Sequence, residues 1–288
     1  MKTVYLALGL LLLPGMLWAQ GSEKENEFTM SMQIRPRAEY RNGAQLPRFE
    51  GDKAASFINN RARLSMEYKR SDLSMKISAQ HVGVWGQDPQ IDTNGRFIMN
   101  EAWAKLNLVP VSLHNWGETL SYDDERILGG LDWNVAGRYH DALKLGYAKN
   151  AHQLHFILAF NQNKEKAKGG TYYYDGAQPY KNMQTLWYHY AAQTPNLDVS
   201  LLFMNLGLET GDAETETSHT RYLQTFGTYV TYQPESGNWL PVQAAFYYQT
   251  GKNKNAQSVS AFMVNVKAAY AIDKQWSVSL GYDYLSGK

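Results

Sequence analysis

The chain has 288 residues, with 28 lysines and arginines against 27 aspartates and glutamates, a formal charge of +1. That balance does not point to nucleic acid or to an anionic membrane surface. Cysteine is absent, which excludes disulfides, thiolate metal centres and thiol catalysis together.

Lys2 gives a short positive start, Val4 to Leu13 is apolar, Pro14-Gly15 breaks the run, and Ala19 offers a small residue for cleavage. This predicts a secretory signal peptide over 1–19, cut after Ala19 with Gln20 as the fallback, and a mature domain over 20–288. The apolar run is too short for the roughly 20 residues of a membrane helix.

From Phe28 the pattern has period two. Phe28, Met30, Met32, Ile34, Pro36, Ala38 and Tyr40 alternate with Thr29, Ser31, Gln33, Arg35, Arg37, Glu39 and Arg41. That is a strand with one apolar and one polar face. Ile58 to Arg70 and Leu73 to Gln80 repeat the alternation around a tight Ser71-Asp72 turn, a hairpin pattern. Glu101 to Asn107 makes another strand, and Val111 to Leu120 runs into a dense charged stretch. Further strands are predicted over Arg138 to Ala148, Leu154 to Asn163, Thr185 to Gln193, Leu197 to Leu208, Tyr222 to Tyr232, Val242 to Thr250, Val259 to Tyr270 and Trp276 to Leu285. The acidic stretch Glu209 to His219 and the tyrosine-rich stretch Lys164 to Met183 read as long loops.

About thirteen strands with alternating short and long connections predict an all-β, antiparallel, up-and-down transmembrane β-barrel. Tyr and Trp cluster near strand ends, where membrane interfaces favour amphipathic rings. A soluble sandwich would have shorter strands. The predicted location is the bacterial outer membrane, with outer-membrane lipid around the apolar face.

The polar face then lines a lumen. It carries Arg35, Arg37, Arg61, Arg63 and Lys105, beside Glu39, Glu67 and Glu101. Clustered cations inside a low-dielectric wall attract anions. The same cations can instead pair with lumen carboxylates and stiffen the wall.

The runs Arg61-Ala62-Arg63-Leu64, Tyr122-Asp123-Asp124-Glu125-Arg126-Ile127-Leu128-Gly129, Asp132-Trp133 and Gly137-Arg138-Tyr139-His140-Asp141-Ala142 resemble the alginate-export family of outer-membrane barrels. The resemblance covers Phe57 to Tyr147. It implies an eighteen-stranded barrel passing a polyuronate through an arginine-rich constriction, with periplasmic export partners. It makes Arg126 and Arg138 further lumen candidates, and Asp123, Asp124, Asp132 and Asp141 the acidic partners of the arginines. Gly117-Glu118-Thr119 departs from the family, which has Gly-Arg-Gln there. The strand number and the Ser286-Gly287-Lys288 end predict the N-terminal part of a longer barrel.

The expected function is a channel for anionic solutes, acidic polysaccharide or sugar acids such as alginate, with no cofactor, metal or catalytic residue. A general porin and a surface-binding barrel are the alternatives. A barrel-based hydrolase would need a nucleophile, a base and an orienting group, and no Gly-x-Ser-x-Gly motif is present.

Overall fold

The computed structural model describes residues 26–43, 47, 49–87, 97–108, 111–115, 117–162, 180–192, 196–212, 217–235 and 237–287. The expected leader, most of the tyrosine-rich loop, and Glu214 and Glu216 lie outside them.

Thirteen strands are present among the described residues. They are β1 (Glu27–Arg41), β2 (Ala55–Lys69), β3 (Leu73–Val84), β4 (Phe97–Leu108), β5 (Val111–Asn115), β6 (Ala142–Lys149) and β7 (His152–Phe160). They continue as β8 (Asn182–Ala192), β9 (Leu197–Asp212), β10 (Thr217–Tyr232), β11 (Val242–Lys252), β12 (Ser258–Ala271) and β13 (Ser277–Leu285). Each pairs antiparallel with the next, so the sheet order is the sequence order, with β1 and β13 as its edges. From β2 to β12 each strand is paired on both sides by its sequence neighbours, which is what a chain in lipid requires of its backbone groups.

The pleat sorts the side chains. On β1 to β3, Ile34, Leu64, Met66, Met75 and Ile77 point outward and stay exposed, while Arg61, Ser78 and Gln80 point inward and are buried. Further round the sheet two outward rows run across five strands. Leu186, Phe203, Phe226, Tyr248 and Phe262 stand opposite one another in register. One step closer to the long loops stand Gln184, Asn205, Gln224, Thr250 and Ser260. Asn205 bonds Gln184 at 2.7 Å, and Gln224 bonds Asn205 at 2.7 Å. Rings below and amides above are the order expected where hydrocarbon gives way to headgroups.

Three expectations change. First, β5 stops at Asn115 and β6 starts at Ala142, so Arg138 to Asp141 precede the strand predicted to contain them. The cause is an isolated bridge between Glu118 and His140, which pinches the chain and lets the residues between leave the ladder. Second, the predicted acidic loop is mostly hairpin, because β9 runs to Asp212 and β10 begins at Thr217. Glu209 is held by Ser218 and Lys181, and Arg221 donates to Thr210 at 2.8 Å, so the charge there is balanced across strands. Third, the inner face is not uniformly polar. On β7 to β11 it buries Ile157, Met183, Trp187, Leu202, Met204 and Tyr247. These pack with Leu120 and Leu128 of the 117–141 segment, which removes them from water.

Candidate functional site: the segment folded inside the sheet

Residues 117–141 leave the wall between β5 and β6 and touch the inner face on both sides. The base is closed by reciprocal 2.9 Å backbone bonds between Glu118 and His140, and Glu118 takes an ion pair from Lys144 at 2.9 Å. Tight bends follow. Asp123, Glu125 and Leu131 take positive φ, conformations that cost energy unless the surroundings enforce them. Gly137 has φ +76, a region where a side chain would be strained. A Cβ on Gly129 would lie 2.6 Å from the Glu125 carbonyl oxygen, so only glycine permits that approach.

One flank of the segment is gripped by arginines. Arg35 Nη1 donates to the Asp132 carbonyl at 2.7 Å and Nη2 to the Asn134 carbonyl at 2.8 Å. Arg37 donates to the Trp133 carbonyl. Arg61, fully buried, donates to Asp132 Oδ1 at 2.8 Å. Arg63 bonds Gln80 at 2.7 Å and Asn100 at 3.1 Å, and Gln80 donates to the Ala136 carbonyl at 2.7 Å. The hydrogen bonds from Arg61, together with the charges of Arg35 and Arg63, hold the Asp132 carboxyl below its ordinary range.

The other flank reaches β7 to β13. Tyr122 hydroxyl meets His155 Nδ1 at 2.9 Å. Trp187 Nε1 donates to Asp123 at 3.1 Å. Tyr247 donates to Asp124 at 3.3 Å. Arg126 pairs with Asp124 at 2.8 Å and with Asp283 on β13 at 2.8 Å. Burial raises the Asp123 carboxyl, opposed by its bonds to Ser200 and Trp187. A single segment that holds β1 at one end and β13 at the other requires the sheet to curl around it.

The sites expected from sequence therefore fall into separate places. Arg35 and Arg61 meet Asp132, Arg37 meets the Trp133 carbonyl and Glu39, and Arg63 meets Gln80 and Asn100. Arg126 meets Asp124. Asp123 is bonded to Trp187, and among the described residues Arg138 and Asp141 have no side-chain ion pair. Lys105 stands apart, opposite Ser74 near the short β2–β3 turn. Trp187, one of the rings expected at the membrane interface, is instead buried on the inner face against Asp123. Gln80, Asn100 and Tyr247 were not singled out from sequence. Their inward parity on the strand pattern is the signal that would have found them.

The charge is separated across the interior. Arg35, Arg37, Arg41, Arg61 and Arg63 face two paired carboxylates, Asp132 and Glu39. The carbonyl and amide acceptors satisfy guanidinium donors without cancelling their charge. Opposite them, among the described residues, Asp123, Asp124 and Asp283 are accompanied by one paired arginine, Arg126. The inner face also brings Ser200 Oγ to 2.9 Å from His189 Nδ1, with Asp123 bonded to Ser200. Here the acid touches the serine and not the histidine, and Ser200 is buried, so the order differs from a hydrolytic triad.

No family model and no curated protein sequence matches the chain. Solved structures do. OccAB4 of Acinetobacter baumannii aligns with TM-score 0.59 at 14% identity, over 92% of this chain and 68% of that one. The anion-selective porin of Comamonas acidovorans aligns with TM-score 0.53 at 14% identity, over 91% and 79%. The outer-membrane channel DcaP of Acinetobacter baumannii aligns with TM-score 0.51 at 14% identity, over 90% and 78%. The fold is that of outer-membrane porins. In this barrel wall the outward apolar rows face lipid and the inserted segment occupies the bore.

Proposed function

We propose that the chain forms the wall of an outer-membrane channel for small anionic solutes, with a bore set by residues 117–141. The observation that carries this is the segment's attachment across the interior, from Arg35 on β1 to Asp283 on β13. A strap held at both ends narrows a passage without sealing it. The excess of guanidiniums on the β1–β3 side supports a preference for anions. The Comamonas neighbour, an anion-selective porin, supports the same preference. The alginate-export resemblance extends the reading to sugar acids and polyuronates, an eighteen-stranded barrel and periplasmic export partners, and the apolar run Val4 to Leu13 adds a cleaved leader over 1–19 ahead of the barrel domain 20–288.

A general porin is the second reading, favoured by the acidic side formed by Asp123, Asp124 and Asp283. Planar-bilayer recordings of the full-length protein separate the two. An anion-selective reversal potential that falls in Arg35→Gln/Arg37→Gln, with block by polyuronate, supports the proposal. Anion selectivity without uronate block keeps the channel and removes the polyuronate. A cation-selective or silent barrel overturns it.

A further inference from the structure

Beside the strap lies a recess of about 470 Å³, lined by Gln80, Asn134, Arg138, Tyr139, Asp141 and Gln162 among others. Its volume lies in the range of small-molecule sites. Two of its lining residues carry opposite charges, and they do not pair with each other. Among the described residues neither the Arg138 nor the Asp141 side chain makes an ion pair or a hydrogen bond. Their neighbours behave differently. Arg35, Arg61, Arg126, Lys76 and Lys144 all pair with carboxylates. Arg138 is also fixed at the backbone, where its N–H donates to the Gly130 carbonyl at 2.8 Å. The rest of the lining carries no charge: amides and a phenol that accept and donate stand among the apolar Ile98, Leu131 and Ala136.

A cation and an anion in one concave wall, not paired with each other and with amides around them, complement a ligand that carries both charges. An anion alone would meet Asp141, and a cation alone would meet Arg138. We infer that this recess is a binding site for a small zwitterion of the α-amino acid class, its carboxylate on Arg138 and its ammonium on Asp141. The inference rests on the channel reading only for its biological use, since binding itself needs no current.

The experiment is saturation-transfer NMR on the full-length protein in detergent micelles, with L-glutamine as probe. Glutaramate, which lacks the ammonium, and gamma-aminobutyramide, which lacks the carboxylate, are the controls. Saturable glutamine binding is expected, with each control weaker by roughly tenfold or more, the loss of one charge-assisted contact. Arg138→Gln should weaken glutamine but leave gamma-aminobutyramide unchanged, and Asp141→Asn should do the reverse with glutaramate. Circular dichroism confirms that each variant is folded. Glutaramate binding as tightly as glutamine would overturn the zwitterion and leave a plain anion site. No binding by a protein that conducts would overturn the recess while keeping the channel, and binding by a silent protein would do the opposite.

Discussion

Arg61 is the residue on which the arginine flank turns. Its guanidinium is fully buried, yet its carboxylate partner Asp132 is largely exposed. The pair therefore serves Arg61 more than Asp132, because a buried charge without a partner is costly. Asp132→Asn keeps the shape and removes the charge. It should destabilise the protein by about 1–3 kcal/mol, below the figure for a fully buried pair because water already reaches Asp132. Urea unfolding in lipid vesicles measures this, and single-channel conductance should rise as the strap loosens.

Acid should act on the same segment. Burial, with Arg138 nearby, brings the His140 pKa down to about 4, against an attraction from Glu118. The folded state thus favours neutral His140, whose ring stacks on Tyr180 while Nδ1 bonds the tyrosine hydroxyl. Its contribution is full above the ordinary 6.5 and is lost as pH falls from there to about 4. Asp132, with a lowered pKa, contributes fully above the ordinary carboxylate range and loses its contribution as pH falls below it. Asp123 runs the other way, since its raised pKa means that protonation relieves a buried charge. Conductance should therefore increase on acidification from pH 6.5 to 4. His140→Gln should flatten that upper part and leave the Asp132 step below it. A conductance independent of pH across both windows would contradict this account.

At the scale of elements, the strands were legible because each reports itself through a period of two. Phe28 to Arg41 and Leu73 to Gln80 show it without interruption, and β1 and β3 lie there. The sequence understates the β9–β10 hairpin because Glu209 to His219 looks like solvated charge. Its cross-strand partners, Lys181 and Ser218, are distant in sequence or hidden among polar residues. The strap was visible as a dense charged run, but its direction was not. Nothing local says that Asp132 meets β1 and β2 while Asp124 meets β11, contacts 97 and 123 residues apart in the chain. The outward rows make a prediction of their own. Leu201 stands exposed among Tyr188 and Thr228 on the apolar band, below Gln224 in the amide row. Leu201→Arg should cost about 2–4 kcal/mol in a bilayer, and Gln224→Arg about 0–1, by the depth dependence of lipid-facing charge. Equal costs would mean that the amide row does not mark the hydrocarbon boundary.

For the whole molecule, the separated charges create a field across the bore rather than along it. Positive groups on β1 and β2 face negative groups around Asp124 and Asp283. Replacing residues 123–134 with a short Gly-Ser linker removes Asp123, Asp124, Arg126 and Asp132 together. The expected result is several-fold higher conductance and weaker ion selectivity, read from current steps and reversal potentials. Added salt should erode the selectivity of the intact channel, since screening shortens the reach of these charges.

The strap belongs to the middle of the chain but is tied to both edges of the sheet, through Arg35 on β1 and Asp283 on β13. This has a kinetic consequence. A loop so placed meets both edges most directly while they are still apart, before the cylinder closes around it. Its contacts with β1 and β2 link distant parts of the chain and carry the loop-closure cost of all non-local pairing. Once made, they bend the first strands toward the last before those strands arrive. The segment that narrows the passage thus also serves as a mould on which the wall can curve, tying its first strand to its last.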